Sequence, residues 1–496
     1  MGVNTKSFDN ASDMITFSRA SGAYGLTKVG YGSELVTNGT FDTGIEGWRV
    51  WTYPHTPVIS YDSLNQRLLF TTAQYGTIRT TIPVVAGVTY RFTYTTDASF
   101  WIADVNGNDP ITGTVIHQDG ESLYWLATST RDIDFVVQGR LSGSNQYYVD
   151  NVSVKEVTYN SSDPSSALEL IYHPNDVPRI EYNTDGTSKG LLVEESRTNS
   201  ITNSESCSFV DQSGGTVTAS TTPAPYGMSS TVKRVQSSTF NGGGRLPVTI
   251  LTAGNSYCSV YVRSRTGADQ NLKITASGTS AATQVAPASG DWVRLGKVAL
   301  FGAGSRDMRV LSTGDTIDLD IALPQVELGS FPTSYIKTTG ATATRSADVA
   351  SIPVADFGYN QGAGTLFVEA APAALSSKNI FNLNVSGIDS ESIYSNPDSS
   401  GHLIVRDTTT QVNLDAGSFV PNQTSKLAVV IKANDFAACL DSGNVVKDSA
   451  GTVPSPISNM HIGSTAPQSG IYSGHIKSIK YYPRRLTDAQ LQELTT

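Results

Sequence analysis

The sequence contains little charge, little cysteine and no long apolar run. Only 16% of its residues are charged, and the net charge of −10 corresponds to a pI of about 5.1. A nucleic-acid-binding surface needs clustered lysine and arginine to displace counterions, so this acidic balance excludes a nucleic-acid partner. No apolar run approaches the length of a membrane span, so we expect no membrane insertion. Residues 1–13 lack the basic-then-apolar order of a signal peptide, and we expect a soluble protein that no N-terminal signal exports.

Cysteine is also scarce. Cys207, Cys258 and Cys439 cannot all pair within the chain. A sparse, odd set suits synthesis in a reducing cytoplasm. We therefore expect free thiols, with a Cys207–Cys258 disulfide as the alternative.

Short apolar stretches that alternate with polar residues are abundant, whereas helical signals are nearly absent. Tyr90, Phe92 and Tyr94, for example, alternate with polar residues, which predicts a half-buried strand. The 496 residues are enough for about three domains. This composition is typical of all-β extracellular or virion proteins, and it predicts an all-β fold.

One stretch, 176–203, joins the parts of the chain. It is predicted to form a β-hairpin, with a strand at 179–182, a turn rich in Asn, Asp and Gly at 183–189, and the return strand at 190–193. The stretch resembles a segment of tailed-bacteriophage virion proteins, in which an arginine and an aromatic residue precede a Gly-Leu-Leu-hydrophobic-Glu-Glu-x-Arg-Thr-Asn run. The matching residues here are Arg179, Tyr182, Gly190, Leu191, Leu192, Val193, Glu194, Glu195, Arg197, Thr198 and Asn199. We interpret the hairpin mainly as a structural link between domains.

Two further motifs resemble the same phage proteins. Residues 17–21 match a Phe-x-Arg-Ala-Ser strand that lies shortly before the Pro-Arg-aromatic strand in those proteins, and 327–336 match the Glu-Leu-Gly-x-x-x-Thr-Ser-Tyr-Ile end of their module. A whole domain therefore looks inserted between the first two motifs. We predict that the N-terminal segment 1–33 pairs with a hairpin linker, 158–200. We also predict that strand 16–19 lies in the same small sheet or hairpin unit as 179–182.

The inserted domain, 34–157, begins and ends like the jelly-roll carbohydrate-binding modules. Its opening, 34–42, contains the Asn-x-x-Phe-acid pattern of that family, and its closing strand, 147–154, contains the Asp-x-hydrophobic pattern. A second jelly roll is predicted at 201–345, because an Ala-Gly-x-x-Tyr-x-x-x-Tyr pattern at 86–94 returns at 253–261. Trp125 and Trp292 are predicted to be core residues on equivalent strands of the two copies.

The last domain, 346–496, is predicted to be a concanavalin A-like sandwich. Its ending, 474–491, resembles the closing strand and short helix of laminin-G-like sandwiches. Thr487 is a natural N-cap for that helix, and Gln490 completes a capping box. The predicted fold is thus three antiparallel β-sandwiches, two jelly rolls and one concanavalin A-like domain, joined by the hairpin unit.

No catalytic motif is recognisable. The six histidines show no metal-ligand spacing, and both the phosphate-binding loop and the Gly-x-Ser-x-Gly elbow are missing. The nearest approach to the paired carboxylates of a glycosidase is Asp389-Ser390-Glu391, which we interpret as an exposed loop. The sequence therefore predicts a protein that is not an enzyme.

Binding residues are better represented in the first module. Trp51, Tyr53 and Trp101 lie next to turn-forming residues, and flat aromatic rings stack on the apolar faces of sugars. Trp101 is expected to enter a turn in which Asp104 and Asn106 can hydrogen-bond hydroxyl groups. We predict a carbohydrate site from these five residues. The second module, whose only tryptophan is Trp292, is expected to be a spacer.

A structural calcium ion is implied by the resemblance to carbohydrate-binding modules. The residues that match its ligands are Thr40, through its backbone, Asp42 and Asp150. Carboxylates that only cap turns are an equal alternative.

The resemblance implies a non-enzymatic virion protein, a tail fibre, spike or head appendage, that is assembled in the host cytoplasm. Its expected partners are other virion proteins and a host cell-surface glycan. A capsid or tail decoration protein without sugar binding and a glycan depolymerase are the alternatives. Phage fibres are frequently homotrimers, although the sequence contains no heptads of a trimerising coiled coil.

Overall fold

Antiparallel strands with alternating side chains build the protein, and the predicted all-β class is confirmed. In the strand Thr89–Thr96, Tyr90, Phe92 and Tyr94 are buried while their neighbours are half-buried, as the period of two requires. The computed structural model describes residues 4–7, 15–51, 55–72, 75–104, 114–119, 122–139, 145–159, 161, 163, 165–228, 230–276, 282–398, 402–465 and 470–496, with the backbone alone at 4–7, 104 and 114–119.

The strands of the first half are, in chain order, β1 Asn4–Ser7, β2 Thr16–Ser18, β3 Ala23–Tyr31, β4 Arg49–Trp51, β5 Val58–Asp62, β6 Arg67–Thr72, β7 Thr77–Val84, β8 Thr89–Thr96, β9 Ser99–Asp104, β10 Thr114–Asp119, β11 Ser122–Leu126, β12 Arg131–Gln138, β13 Asn145–Thr158, β14 Ala167–His173, β15 Ile180–Tyr182, β16 Ser188–Val193 and β17 Arg197–Asn199. They continue as β18 Val210–Gln212, β19 Thr216–Ala219, β20 Lys233–Ser237, β21 Gly243–Ile250, β22 Gly254–Ser264, β23 Gln270–Ala276, β24 Gln284–Ala286, β25 Val293–Phe301, β26 Gly304–Ser312, β27 Ile317–Leu328 and β28 Ala343–Arg345.

The C-terminal part contains β29 Val349–Pro353, β30 Gly364–Pro372, β31 Phe381–Val385, β32 Ile388–Ser395, β33 Leu403–Asp407, β34 Thr409–Leu414, β35 Ser425–Ile431, β36 Phe436–Leu440, β37 Val446–Asp448, β38 Asn459–Ile462, β39 Gly474–Tyr482 and the helix α1 Asp488–Leu494. Short 3-10 turns lie at Pro225–Gly227 and Val354–Phe357. The predicted capping box of α1 is present, because Thr487 accepts from the Gln490 backbone and the Gln490 side chain accepts in return. In the described part of the chain, no helix is long and apolar enough to cross a membrane.

The chain divides into two compact units, Val29–Ala167 and Met1–Lys28 together with Leu168–Thr496. The first is called here the inserted unit, and its range encloses the predicted module 34–157. It contains the four-stranded sheet β4-β7-β12-β9 and a second sheet in which β13 lies between β8 and β6. Apolar side chains of both sheets, including Phe92, Trp125 and Phe135, pack into one core.

The larger unit contains two sandwiches. In the first, the sheet with β20, β27, β22 and β25 packs through a buried core against the sheet β18-β21-β26-β23-β24. In the second, the sheet β15-β16-β39-β30-β35-β36-β37 packs against β2-β29-β38-β31-β32-β33-β34. The predicted hairpin is present as β15 and β16. It extends the last sandwich, because Leu191 of β16 pairs with Ile476 of β39.

Strand register shows how the two jelly-roll copies correspond. Tyr90 of β8 pairs with Glu156, and Tyr257 of β22 pairs with Glu327. On the other side, Trp125 faces Tyr90, whereas the residue that faces Tyr257 is Val298. Trp292 therefore is not the counterpart of Trp125. Trp125 is a buried core residue as predicted, but Trp292 is half-buried outside the sandwich core, so that core prediction is wrong.

The N-terminal strand pairing also differs from the expectation. β2 pairs with β29, while β15 pairs with β16 in another sheet, so 16–19 and 179–182 do not share a sheet as one form of the prediction required. Within the larger unit, β3 is the strand that lies beside β14. Local alternation predicts that a strand exists, but it does not specify a partner more than 300 residues away in the sequence.

The phage-like motifs converge on a buried network of charges, which we call the hinge cluster: Arg19, Arg179, Glu194, Arg345 and Asp348. Arg19 Nη1 lies 3.1 Å from Asp348 Oδ1, and Arg179 Nη2 lies 2.6 Å from Asp348 Oδ2 and 2.9 Å from Glu194 Oε2. Arg345 Nε lies 3.5 Å from Glu194 Oε2. The five side chains are almost completely buried.

The hinge cluster shifts the pKa values of its members. Burial lowers the pKa of Arg19 to about 10, and the nearby Arg179 charge acts in the same direction. Burial raises the pKa of Glu194, but the charges of Arg345 and Arg179 outweigh it, so the pKa is lowered. Ser334 of the Thr-Ser-Tyr-Ile motif donates its hydroxyl to Glu194 Oε2 over 2.7 Å. The motif residues thus hold distant segments of the larger unit together.

The three cysteines are buried free thiols. Burial raises the pKa of Cys207 and of Cys258 to about 12, which keeps both protonated at neutral pH. Neither is therefore suited to nucleophilic chemistry.

Candidate functional site

Two of the predicted sugar-contacting residues lie on the same face of one sheet. Trp51 is in the edge strand β4 and Trp101 is in the opposite edge strand β9. Arg79 of β7 pairs with Arg49 of β4 and with Val136 of β12, and Val136 pairs with Trp101. These residues alternate with the side chains that enter the core, so they form the outer face of the four-stranded sheet.

Arg79 connects this face to a buried carboxylate. Its guanidinium carbon lies 3.8 Å from the centroid of the Trp51 ring, and its Nη1 lies 2.8 Å from Asp134 Oδ2. Arg49 Nη2 donates to Asp134 Oδ1 over 2.9 Å, and Thr81 Oγ1 donates to the same oxygen over 2.7 Å. Burial lowers the pKa of Arg79, the Asp134 charge opposes this, and the Arg49 charge adds to it.

The arrangement presents fixed aromatic and hydrogen-bonding groups together. Asp134 is fully buried, whereas Arg49 keeps 47% of its side chain exposed and Arg79 keeps 16%. Because the carboxylate and the Trp51 ring already hold Arg79, little side-chain entropy remains to be lost when a ligand binds. Half-buried Trp51 and Trp101 provide ring surface, and the guanidinium groups provide N–H donors. We call this set the outer face: Arg49, Trp51, Arg79, Trp101 and Asp134.

Sequence reasoning missed Arg49, Arg79 and Asp134. A signal was present, because Asp134 interrupts the apolar run of β12 and Arg79 lies between the buried residues Ile78 and Thr80. A charge inside such a run indicates the face of the strand that is turned away from the core.

The other statements about the predicted sugar contacts are tested only in part. Trp101 was expected to enter a turn, but it lies inside β9, so that expectation is corrected. Asp104 ends β9, and its side chain is outside the described part of the chain. Tyr53 and Asn106 also lie outside the described residues. Their assignment to the carbohydrate site remains a prediction.

The residues predicted to bind calcium lie in a loop and in β13. Thr40 Oγ1 donates to Asp42 Oδ2 over 2.7 Å, and Asp150 Oδ1 accepts from the Asn151 backbone over 2.7 Å. Burial raises the pKa of Asp150, and the negative charge of Asp42 adds to this. The two carboxylates therefore repel each other, a repulsion that a cation would relieve. Among the described residues, no group of three or more acidic, histidine or cysteine side chains is arranged to hold a metal. The calcium site stays a prediction.

The carboxylates considered for a glycosidase lie in a strand. Asp389 and Glu391 belong to β32, so the expected loop is wrong. Glu391 pairs in register with Asp407 of β33, and Asp389 Oδ2 lies 3.8 Å from Arg406 Nη1. The two carboxylates are two residues apart in one strand, and Arg406 partly compensates the charge of Asp389.

Comparison with known proteins adds solved structures of low similarity. No protein-family model and no curated relative matches the sequence. Domain 4 of an extracellular arabinanase from Geobacillus stearothermophilus has 14% identity and a TM-score of 0.25, covering 34% of this chain and 82% of that one. A CBM22 tandem domain from Paenibacillus barcinonensis Xyn10C has 11% identity and a TM-score of 0.22, covering 59% and 97%.

A sialidase from Trypanosoma rangeli is similar over most of this chain, with 9% identity, a TM-score of 0.24 and coverage of 91% and 98%. This match to an enzyme contradicts the prediction that the protein is not an enzyme, and we withdraw that prediction. At this similarity the match assigns neither a substrate nor a catalytic residue to the chain. None of these three structures is a bacteriophage protein, so the phage resemblance rests on the sequence motifs.

Proposed function

We propose that this protein is a virion component of a tailed phage that attaches to a host surface glycan, and that the outer face of the inserted unit makes the contact. The observation that carries the glycan part is the placement of Trp51, Arg79 and Trp101 on one face of a single sheet, turned away from the core. The phage part is supported by the motifs that contribute Arg19, Arg179 and Glu194 to the hinge cluster.

A sugar ring offers apolar C–H faces and a rim of hydroxyl groups. Tryptophan rings complement the faces, and guanidinium N–H groups complement the hydroxyls. On the outer face, Arg79 lies against Trp51 and is fixed by Asp134, so donor and ring stand side by side. A glycan chain lying across the strands would meet Trp51 at one edge strand and Trp101 at the other.

The glycan part is tested on an array of bacterial surface oligosaccharides with the full-length protein. Trp51→Ala and Trp101→Ala should each reduce the signal for the glycans that contact the outer face, since removal of a stacking aromatic costs about 1–3 kcal/mol. Tyr148→Ala is the matched control, because Tyr148 also carries an arginine over its ring, with Arg67 at 4.7 Å, but lies on the other sheet. Equal signals for Trp51→Ala, Trp101→Ala and wild type would place sugar binding elsewhere.

The virion part has a separate test. Antibodies against this chain should label phage particles in electron micrographs, at the tail or at the head. Particles that carry no label, beside abundant free protein in the lysate, would contradict the virion assignment without affecting the glycan result.

A further inference from the structure

The larger unit contains a cleft of about 700 Å³ that opens beside Trp292. The β15–β16 hairpin turn supplies one wall, with Asn183, Thr187 and Lys189. Tyr226, Trp292 and other residues of the first sandwich of this unit supply the second wall, and the C-terminal sandwich supplies the third. The volume lies within the range of small-molecule sites.

A second cleft, of about 600 Å³, adjoins the first. Both are lined by Thr184, Tyr226 and Trp292, so the two aromatic side chains stand between them. The second cleft also contains Arg263 and Asp185. The two adjoining clefts are called here the groove, and the aromatic pair of Tyr226 and Trp292 lines both of them.

The polar atoms of this aromatic pair are already engaged within the protein. Trp292 Nε1 donates to the Pro223 carbonyl over 3.3 Å, and the Tyr226 hydroxyl donates to the Trp292 carbonyl over 3.0 Å. The Tyr226 ring also packs edge-on against Tyr261, with 6.1 Å between the centroids. Tyr226 adopts the left-handed conformation, with φ 51° and ψ 44°, a strained state that such contacts must stabilise. What both residues offer to a ligand is therefore ring surface.

Hydrogen-bonding side chains surround these rings. Asn183 and Thr187 lie exposed on the hairpin rim, and Asn422 and Thr424 lie exposed on the opposite rim. On the walls, Glu181 already has a partner within the protein, because His475 Nε2 lies 2.9 Å from Glu181 Oε2. Amide and hydroxyl groups around half-exposed aromatic rings match a polyhydroxylated chain.

We propose that this groove is a second saccharide-binding site, independent of the outer face, and that it takes an oligosaccharide chain that stacks on Trp292 and Tyr226. The sandwich that carries Trp292 then takes part in binding and is not only a spacer. The proposal does not rest on the outer-face site, since the groove is built entirely from residues of the larger unit.

The test compares array profiles of full-length variants against the same bacterial oligosaccharides. Trp292→Ala should reduce the signal of one set of glycans at least tenfold, and this set should persist in Trp51→Ala. Trp292→Phe, which keeps a ring, should retain most of that signal. Lys189→Ala, on the hairpin rim of the groove, should weaken the same set without removing any core side chain.

The outcomes are separable. If the profiles of Trp292→Ala and Lys189→Ala both equal that of wild type, the groove does not bind saccharide. If Trp292→Ala does not fold, Trp292→Phe and Lys189→Ala still test the groove. Unchanged glycan binding in Lys189→Ala, together with full loss of binding in Trp292→Phe, would indicate that Trp292 has a packing role and would overturn the proposal. Loss of signal in Trp51→Ala alone would leave the outer face as the site and overturn the groove.

Discussion

Two clusters in this protein use the same chemistry, arginines around a fully buried aspartate, in different surroundings. In the hinge cluster, Asp348 and its partners Arg19 and Arg179 are all buried. On the outer face, Asp134 is buried, but Arg49 and Arg79 extend from it toward solvent and the Trp51 ring. The first cluster holds segments of the chain together, whereas the second leaves its donors accessible, as the proposed glycan contact requires.

The largest expected effect comes from removing the buried aspartate of the hinge cluster. Asp348→Ala leaves Arg19 and Arg179 buried without their closest carboxylate, which should lower the free energy of unfolding by about 3–5 kcal/mol. Asp134→Ala should cost less, because both of its arginines can be hydrated. Chemical denaturation of the two variants measures this difference. Equal losses would show that exposure of the arginines does not distinguish the clusters.

Trp125 and Trp292, which the sequence predicted to be equivalent, allow a packing residue to be compared with a proposed binding residue. Trp125→Ala should destabilise the protein by about 3–5 kcal/mol, because truncation of a buried aromatic residue leaves a cavity. Trp292→Ala should cost only about 1–2 kcal/mol, since its ring is half-exposed. Thermal unfolding measures both. A Trp292→Ala loss as large as that of Trp125→Ala would restore the original core assignment.

Acid should destabilise the larger unit through two buried groups. Burial lowers the pKa of His173 to about 3, and the Arg19 charge adds to this lowering. Below about pH 6.5 the unfolded chain therefore binds a proton on this histidine, whereas the folded protein does not. For Glu181, burial raises the pKa, but the His475 hydrogen bond and charge outweigh it and lower the value to about 2. The free energy of unfolding should therefore decrease as the pH is lowered, first below 6.5 through His173 and further below 4.5 through Glu181. Each group should contribute up to about 1.4 kcal/mol per pH unit.

A matched variant isolates the histidine contribution. His173→Gln cannot titrate, so its unfolding free energy should depend less steeply on pH between 6.5 and 4.5 than that of wild type. Denaturation at several pH values measures the slope. The same slope in both proteins would mean that other groups are responsible.

Local features of the fold were predictable from the sequence, and long-range ones were not. The turn-rich segment 183–189 predicted the β15–β16 hairpin, and Thr487 with Gln490 predicted the helix start. The pairing of β2 with β29 and the position of Trp292 depend on contacts between distant segments, on which local periodicity carries no information. For the candidate site, the sequence predicted Trp51 and Trp101, and only the strand register shows that they share a sheet face with Arg79 and Asp134.

The central claim, that the outer face contacts glycan, is tested most directly by calorimetric titration of the full-length protein with a glycan whose array signal Trp292→Ala leaves unchanged. Trp51→Ala should weaken the affinity by about 1–3 kcal/mol while the unfolding midpoint stays near that of wild type. Tyr148→Ala should bind as wild type does. Wild-type affinity in Trp51→Ala, or an equal loss in Tyr148→Ala, would contradict the account.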